Sequence, residues 1–342
     1  MHQPGQPPGA PMILELRPDL SSDRAAELER LTGGRLVVFH GRSLLICGTA
    51  EGGRQLPEGE DIGEVIDFPE DWPLASLAVR AEKTVIEVGE DLRIGDGSTL
   101  LIAGPCAAES EDQLRASAAF LVSRGIRLFR AGLFKPRTSA YSFPGLEFDG
   151  LELLASIRRD YDLKLITEVY DTSHFDAVEE IADVIQVGSK AMFNLALLRR
   201  CGRSPRPILL KRFFSASTRE WLQAADVILS AGNPNVILGE RGIRTFENRS
   251  RFVFDLNSAV YIRENSHLPL LLDPSHAIGR ASGVRALARA AAAFGADAIM
   301  VEVHPAVDQA RCDRAQALDH RAFAALQDEV GDVCRAVGRK LV

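Results

Sequence analysis

Short apolar runs alternate with amphipathic segments along the chain from Ser98 onward. The runs have the length of buried strands, and the segments between them have the spacing of helices with one apolar face. In the segment after Ser110, for example, Leu114, Ala118, Leu121 and Val122 would share such a face. The eight predicted strands are Leu100 to Ala103, Arg127 to Phe129, Leu163 to Ile166, Val184 to Val187, Ile208 to Leu210, Val236 to Leu238, Leu268 to Leu272 and Ala298 to Val301.

Eight strand-helix units over about 240 residues have the size and rhythm of a (β/α)8 barrel. The alternative is a doubly wound sheet, which would more often carry a glycine-rich phosphate-binding turn after its first strand. No such turn follows Leu100 to Ala103. We therefore predict an α/β fold whose main domain, over 77–342, is a TIM barrel.

The region before the barrel has a different pattern. Residues 1–11 are rich in Pro, Gly and Gln, and we predict that they are disordered. A small α+β module is predicted over 12–76, although Glu51 to Gly63 has no apolar stripe where a second helix is expected. The predicted elements are strands at Met12 to Leu16, Arg35 to Phe39, Ser43 to Cys47 and Glu64 to Phe68, a helix from Ser21 to Leu31, and a later hairpin of Thr84 to Ile86 with Leu92 to Ile94.

Composition limits the class of function. With 342 residues, of which 46% are hydrophobic, the chain can bury a large core. The formal charge of -7 argues against nucleic acid as the main partner. No apolar stretch has the length of a membrane span and the first residues lack the apolar core of a signal peptide, so we expect a cytoplasmic protein with no membrane partner. Five cysteines, an odd number without CxxC spacing, argue against a disulfide framework.

The stretch Arg130-Ala-Gly-Leu-Phe-Lys-Pro-Arg-Thr-Ser139 contains three cations and two hydroxyls directly after a predicted strand. Arginine offers a planar fork to phosphate or carboxylate, lysine a mobile charge, and the hydroxyls further donors. A solvated basic loop is the alternative. The position favours anion binding, because the other predicted strands also end in polar residues.

Residues with metal-binding chemistry follow three predicted strands that barrel closure makes neighbours. The carboxyl ends of all the parallel strands open on one mouth, so these residues should meet in one cavity. They are Cys106, His276 and Glu302, and Asp313 in the loop after the last strand offers a fourth ligand. Thiolate, imidazole and carboxylate together can bind a divalent ion such as Mn, Fe, Co or Zn. Each residue alone has a structural explanation, but their joint position predicts a metal site.

Other polar residues near the strand ends receive weaker assignments. His304 would share a face with Glu302, but alternation is weak just past a strand end, so its role stays open. Asp308 and Asp319 are less favoured alternatives to Asp313. We predict surface or structural positions for His40, His174, His267 and His320, and core positions for Cys47, Cys201 and Cys334.

Cations follow the strands on the other side of the predicted mouth, at Arg130, Lys190, Lys211 and Arg241. A cluster of like charges is costly unless an anion occupies it. The sequence therefore predicts a division of the mouth into a metal half, which polarises a carbonyl, and a cationic half, which holds phosphate and carboxylate.

These motifs, in this order and spacing, resemble the 3-deoxy-D-arabino-heptulosonate 7-phosphate (DAHP) synthases of the type I-beta group. The resemblance extends from about Thr84 to the C-terminus, and the N-terminal module is similar to the ferredoxin-like regulatory domain of some members. The motifs that carry it are Gly104-Pro-Cys106, Lys135-Pro-Arg-Thr-Ser139, Leu210-Lys-Arg212, Glu240-Arg-Gly-Ile-Arg-Thr-Phe246, Asp273-Pro-Ser-His276 and Glu302-Val-His-Pro305.

The resemblance implies the first step of the shikimate pathway, in which phosphoenolpyruvate condenses with erythrose 4-phosphate and phosphate is released. It implies the metal ligands Cys106, His276, Glu302 and Asp313, with His276 also counted as catalytic. It further implies that Arg130, Lys135, Lys211 and Arg241 hold phosphoenolpyruvate, that Lys190 stands at a phosphate contact, and that Pro136, Arg137 and Thr138 face the aldose phosphate. Glu168 and Lys211 would handle water and protons.

Three positions depart from the family pattern. Gly188-Ser189-Lys190 stands where Gly-Ala-Arg is usual, which replaces a bidentate fork by a point charge. Phe213 and Ala131 stand where the family usually has glycine. Lys190 and Phe213 motivate an alternative, a paralogue that uses the same chemistry on another aldose acceptor. A 3-deoxy-octulosonate 8-phosphate synthase is less favoured, because Lys135-Pro-Arg-Thr-Ser139 marks the heptulosonate branch.

Further expectations concern assembly and redox state. The family implies a homo-oligomer, a dimer or tetramer, and a possible chorismate mutase partner. A catalytically weak barrel that serves as a binding or regulatory partner is a different hypothesis, and it predicts a damaged metal set. Because Cys312 adjoins Asp313, it could pair with Cys106 in metal-free protein and inactivate the enzyme. The shortened second half of the N-terminal module leaves feedback inhibition by an aromatic amino acid open.

Overall fold

The computed structural model describes residues 12–47, 60–135 and 141–342. These residues form a small antiparallel sheet module followed by a closed barrel. The predicted disordered tail at 1–11 and most of the segment from Glu51 to Gly63 lie outside the described residues.

The N-terminal module is a four-stranded antiparallel sheet with a helix on one face. Its elements in chain order are β1 (Met12–Leu16), α1 (Ser22–Thr32), β2 (Arg35–Phe39), β3 (Arg42–Cys47) and β4 (Ile62–Asp67). The sheet order is β2-β3-β1-β4. The predicted α+β module is confirmed, although β4 begins at Ile62 rather than Glu64. The predicted domain boundary at residue 76 stays a prediction.

Local sequence signals explain this module. The hydroxyl of Ser21 accepts the N–H of Arg24 at 3.2 Å and caps α1, which ends at Gly33 with a φ of 60°. Alternation along the strands then gives the sheet two apolar faces. Leu14 on β1 and Leu28 on α1 belong to the small core between the sheet and the helix, whereas Ile13 joins the large core shared with the barrel.

A linker and a hairpin connect the module to the barrel. The linker forms a 3₁₀ turn at Pro73–Ala75, and the carboxylate of Asp226 accepts the N–H of Ala75 at 2.8 Å. The predicted hairpin is confirmed as β5 (Ile86–Val88) and β6 (Leu92–Ile94). Its apolar side chains join the lower layer of the barrel interior, so the hairpin closes the amino-terminal end of the barrel.

Eight parallel strands close into a barrel in which the last strand lies beside the first. A doubly wound sheet is open, so this closure rules out that alternative. The strands are β7 (Leu100–Gly104), β8 (Leu128–Arg130), β9 (Lys164–Val169), β10 (Val184–Val187), β11 (Ile208–Lys211), β12 (Val236–Glu240), β13 (Leu270–Leu272) and β14 (Ala298–Glu302). The helices are α2 (Glu111–Ser123), α3 (Leu151–Asp160), α4 (Phe175–Ile181), α5 (Leu195–Cys201), α6 (Thr218–Ser230), α7 (Leu256–Asn265), α8 (Pro274–Ile278), α9 (Ala281–Phe294) and α10 (His320–Ala336).

Capping residues set the starts of two barrel helices. Ser217 and Glu220 form a complete capping box at the start of α6. At α2 the hydroxyl of Ser110 accepts the N–H of Gln113, but the Gln113 side chain turns to the backbone of Ala107 and Glu109 instead. Among the helices that the structure describes, none combines the length and apolarity needed to cross a bilayer.

Strand alternation divides the barrel interior into layers. Inward-facing apolar residues fill the lower part, including Leu209 on β11 and Leu271 on β13. Since side chains two residues apart on a strand face the same way, the next inward positions are Lys211 and Asp273. The apolar interior therefore gives way to charged side chains at the carboxyl ends of the strands.

Candidate active site

The same alternation selects which strand-end residues enter the mouth. Lys211 and Arg241 line a cavity of about 260 Å³, whereas their chain neighbours Arg212 and Glu240 pair with each other at 3.2 Å and do not line it. Arg212 also donates to Asp255 at 2.9 Å. Adjacent charged residues in the sequence thus have different positions, one inside the cavity and one behind the barrel wall.

The four predicted metal ligands meet at one edge of this mouth. Cys106, His276, Glu302 and Asp313 each offer a ligand atom, and these atoms all lie within 4.8 Å of one another. Nε2 of His276 is 3.2 Å from Oε1 of Glu302 and 3.8 Å from Oδ2 of Asp313, and Sγ of Cys106 is 3.2 Å from that same oxygen. One sulfur, one imidazole nitrogen and two carboxylates at this spacing fit a divalent ion of the zinc, manganese or iron type.

Each of these side chains comes from a different local structure. Cys106 follows β7, Glu302 ends β14, and His276 lies in the short helix α8. Asp313 has a φ of 47°, a left-handed conformation that few residues other than glycine adopt. The alternative ligand Asp319 instead caps α10 by accepting the N–H of Ala322 at 2.7 Å.

Neighbouring groups orient the histidine and the glutamate. The carboxylate of Asp273 contacts Nδ1 of His276 at 2.7 Å, which turns Nε2 toward the other three ligand atoms. The amide of Gln316 donates to Glu302 at 2.6 Å. Burial lowers the pKa of His276 despite Asp273 and Glu302 nearby, so the ring favours the neutral form that binds metals. Our sequence prediction gave Asp273 and Gln316 no role; Asp273 could have been found from its inward register with Leu271.

Arg130 lies closer to the metal-type cluster than the sequence predicted. Its Nη1 donates to Glu302 at 2.9 Å and to the carbonyl oxygen of Cys106 at 3.3 Å. We placed Arg130 with the cations on the opposite side of the mouth, and that assignment is wrong for this residue. The physical reason is barrel closure: β8 adjoins β7, which in turn adjoins β14.

Lys135 and Glu168 form a buried charged pair next to Arg130. Nζ of Lys135 donates to Glu168 at 3.3 Å and to the carbonyl oxygen of Cys106 at 3.0 Å. Burial alone would raise the pKa of Glu168, but Lys135, Arg130 and Lys211 together lower it, so Glu168 is a carboxylate. A Cβ at Gly188 would lie 2.0 Å from Oε1 of Glu168, so a larger residue at this position would displace that carboxylate.

Lys211 and Arg241 carry the cationic side of the cavity. Lys211 pairs with Asp273, while burial, only partly opposed by that carboxylate, lowers the pKa of the ammonium group. Arg241 is 4% exposed, and its Nη1 has no hydrogen-bond partner within the described chain. A buried guanidinium with an unpaired donor beside a cavity is suited to an anionic ligand. Lys190 also lines the cavity, at its exposed rim.

Further side chains that sequence reasoning missed also line the cavity. They include Gln186, Arg251 and the rings of Phe214 and Phe252. Gln186 is 1% exposed, and its Oε1 has no hydrogen-bond partner among the residues described. Gln186 could have been predicted, because it lies two residues after Val184, which faces the barrel interior.

Two family departures take ordinary positions in the structure. Phe213 is half-buried and packs against Phe193 and Phe214, and it is not among the described residues that line the cavity. Ala131 is fully buried at the end of β8. The residues Pro136, Arg137 and Thr138, which the resemblance assigns to the aldose phosphate, lie outside the described part of the chain.

Two cysteine sulfurs lie close together at the cluster. Sγ of Cys106 is 2.8 Å from Sγ of Cys312, and this contact together with burial raises the pKa of Cys106. The separation supports the hypothesis that the two can be oxidised to a disulfide in metal-free protein. Cys47, Cys201 and Cys334 are buried elsewhere as predicted, and burial raises the pKa of Cys201 to about 12.

His304, whose role the sequence left open, lies outside the cluster of metal-type ligands. Its Nδ1 accepts the N–H of Ala306 at 3.1 Å, and its Nε2 lies 3.4 Å from a carboxylate oxygen of Glu109. The other oxygen of Glu109 accepts the N–H of Arg311 at 2.9 Å. Glu109 therefore connects the loop after Cys106 to the loop that carries Asp313.

The remaining histidines match their predicted structural or surface positions. His267 is buried between the hydroxyl of Thr84, at 2.8 Å, and the carbonyl oxygen of Leu74, at 2.7 Å. His174 stacks on Phe134, with ring centroids 4.1 Å apart. His320 stacks in the same way on Phe120, and His40 is exposed.

Comparison with known proteins agrees with this geometry. The family model described as DAHP synthetase I family matches residues 82–337. The phospho-2-dehydro-3-deoxyheptonate aldolase of Thermotoga maritima is 41% identical over 280 residues, 82% of each chain. A 2-dehydro-3-deoxyphosphooctonate aldolase of Syntrophotalea carbinolica is 33% identical over 243 residues, which are 66% of this chain and 86% of that protein. The crystal structure of the DAHP synthase of Thermotoga maritima superposes with a TM-score of 0.78 at 34% identity, covering 98% of this chain and 99% of that one.

Proposed function

The chain belongs to the DAHP synthetase I family, and we propose that it is a 3-deoxy-7-phosphoheptulonate synthase, a transferase that joins phosphoenolpyruvate to erythrose 4-phosphate. One observation carries the proposal within that family: the cavity lined by the buried cations is also lined by His276 and Asp313, whose ligand atoms lie within 4.8 Å of those of Cys106 and Glu302. That arrangement suits a reaction between an aldehyde and two phosphorylated anions.

We assign the metal to Cys106, His276, Glu302 and Asp313, whose ligand types fit Mn, Fe, Co or Zn alike. When bound there, a divalent ion supplies Lewis-acid polarisation of the aldehyde oxygen. Asp273 orients His276, and Gln316 orients Glu302, through their hydrogen bonds.

Phosphoenolpyruvate would lie on the buried cations. Arg241 presents an unpaired donor, and Lys211, Arg130 and Lys135 add charge within a cavity of low dielectric. Lys190 at the rim reaches the same space as a point charge. These groups are held by the barrel before substrate arrives, so little reorganisation is needed on binding. Pro136, Arg137 and Thr138 are proposed, on the resemblance alone, to hold the aldose phosphate.

The reaction forms one carbon-carbon bond and one carbon-oxygen bond to water, and it breaks the carbon-oxygen bond to phosphate, which leaves with the second proton of that water. C3 of phosphoenolpyruvate attacks the aldehyde carbon, water adds at C2, and the bond from C2 to the phosphate oxygen breaks. Glu168, kept as a carboxylate by its cationic neighbours, accepts a proton from the attacking water. Lys211 donates a proton to the aldehyde oxygen as it becomes a hydroxyl, because burial makes its ammonium a stronger acid.

A paralogue that accepts another aldose is the second candidate. The observation that favours it is the aromatic wall of Phe214 and Phe252 along the cavity, together with Lys190 in place of the usual arginine. The hypothesis of a non-catalytic barrel expected a damaged metal set, and all four ligands lie together in this structure. Cytoplasmic location, a dimer or tetramer, and a chorismate mutase partner stay predictions.

The test is phosphate release from phosphoenolpyruvate with a panel of aldose phosphates in the presence of Mn²⁺. We expect turnover with erythrose 4-phosphate, and little with arabinose 5-phosphate. Turnover with another aldose but not with erythrose 4-phosphate would favour the paralogue. Peptide mapping under non-reducing conditions after chelation checks the redox hypothesis, and only free thiols at Cys106 and Cys312 would reject it.

A further inference from the structure

Arg241 is a buried cation without a carboxylate partner. Within the described chain its guanidinium forms no ion pair, and burial lowers its pKa by more than the nearby charge of Asp273 raises it. A buried charge without a partner is costly, so another group must hold this side chain in place.

The ring of Phe252 lies against this guanidinium. The Cζ atom of Arg241 lies 4.4 Å from the centre of the ring, within the range of a cation-π contact. The same ring also has the guanidinium of Arg251 at 5.6 Å. Phe252 therefore adjoins two cations that line one cavity.

A second ring supports the first. Phe214 stacks on Phe252, with centroids 5.3 Å apart and planes inclined by 20°, and a third guanidinium, that of Arg244, lies 4.3 Å from the centre of Phe214. Both rings line the cavity. The negative faces of the two rings offset part of the repulsion among the three cations.

We propose that Phe252 is a positioning residue for anion binding: its ring face holds the guanidinium of Arg241 so that the unpaired Nη1 remains available to a phosphate group in the cavity. This inference deepens the proposed function, on which the identity of the phosphate as that of phosphoenolpyruvate rests. The sequence alone does not indicate it, because Phe252 lies eleven positions after Arg241 in an irregular loop.

A ring can also act only by filling space, and the two roles respond differently to substitution. Phe252→Leu keeps apolar bulk and removes the π face, whereas Phe252→Tyr keeps the face. Phe252→Met is a second aliphatic variant in case the leucine variant does not fold. Phe246→Leu is the matched control, because Phe246 lies in the same loop with its ring fully exposed.

The experiment is calorimetric titration of the full chain with inorganic phosphate, followed by separation of KM for phosphoenolpyruvate from kcat. We expect Phe252→Leu and Phe252→Met to weaken phosphate binding by about tenfold and to raise KM by a similar factor, with kcat within about threefold of wild type. Phe252→Tyr and Phe246→Leu should bind phosphate as wild type does.

Three outcomes would overturn the inference. They are wild-type phosphate affinity in the aliphatic variants, an equal loss in the tyrosine variant, and no phosphate binding by the wild type. Phosphate titration does not depend on turnover. If the variants behave as expected but the enzyme does not use erythrose 4-phosphate, the proposed function fails while the role of Phe252 stands.

Discussion

The lower half of the barrel interior is apolar, whereas the mouth, two residues further along the same strands, is charged. On β11 the inward residues are Leu209 and then Lys211, and on β13 they are Leu271 and then Asp273. Both layers are buried, with Leu209 at 0% exposure and Lys211 at 3%. These two side chains therefore differ in chemistry, although both are buried.

That difference separates stability from function. Burial of the lower layer removes apolar surface from water and stabilises the fold by roughly 25 cal/mol per Å². Burial of the mouth removes charges from water, which is unfavourable even when the charges are paired, as Lys211 is with Asp273. The stability provided by the lower layer offsets the cost of these buried charges. The charges serve function, because they bind and convert anions.

Replacing Lys211, the inward residue at the mouth end of β11, should give the largest effect. We expect Lys211→Met to lower kcat by about 10³-fold, because it removes both a proton donor and a charge that stabilises the transition state. The measurement is steady-state phosphate release at saturating phosphoenolpyruvate. Lys164→Met, at the opposite end of the barrel on β9, is the matched control and should keep wild-type kcat. A kcat within tenfold of wild type in Lys211→Met would break the comparison.

Replacing Leu209, the inward residue of the apolar layer on the same strand, should lower stability and leave catalysis intact. Leu209→Ala opens a cavity in a layer that includes Ile237 and Met300, so we expect a loss of about 2–5 kcal/mol in the free energy of unfolding. Denaturant titration measures it, and kcat of the folded variant should change little. Leu195→Ala, at a half-exposed position on α5, should cost much less. A large fall in kcat for folded Leu209→Ala would show that the two layers are not separate.

Loss of the connection between the two loops that carry the proposed ligands Cys106 and Asp313 should have a smaller, specific effect. Removal of the Glu109 carboxylate releases the N–H of Arg311, next to Cys312 and Asp313. We expect Glu109→Ala to weaken binding of the divalent ion by about tenfold, with kcat near wild type at saturating metal.

Chelator competition measures the metal affinity in this variant. Glu111→Ala removes an exposed carboxylate that pairs with Arg115 and should have no effect. Glu109→Gln keeps an acceptor for the N–H and should lie between wild type and the alanine variant. Unchanged metal affinity in Glu109→Ala would show that the loops are held by other contacts.

The smallest effect should be the pH dependence of stability that arises from the buried residue His267. Burial lowers the pKa of His267 from its ordinary value of 6.5 to about 4. Between these values the unfolded state binds more protons, so the free energy of unfolding falls as the pH decreases, by about 1 kcal/mol from about pH 6.5 to about pH 5.5. Urea titrations at several pH values measure the slope, and an equal slope in His267→Gln would contradict the assignment.

Much of the fold follows from local sequence pattern. The apolar runs predicted all eight barrel strands, because a strand buried on both faces must be apolar on both. Some predicted strand ends differ from those in the structure: β13 begins at Leu270 rather than Leu268, and β9 continues to Val169. The four metal-type ligands were also predictable, because in a closed barrel every strand end faces one cavity.

The sequence by itself determined that a barrel forms, that its strands end in cations and in residues of metal-binding type, and which residue types are available for chemistry. Only the tertiary structure decided how these residues pair: Arg130 with Glu302, Asp273 with both Lys211 and His276, and Phe252 with Arg241. The physical reason is the range of the interactions. Alternation and helical periodicity act over a few neighbouring residues, whereas these contacts join side chains from different strands and loops, and barrel closure sets their distances.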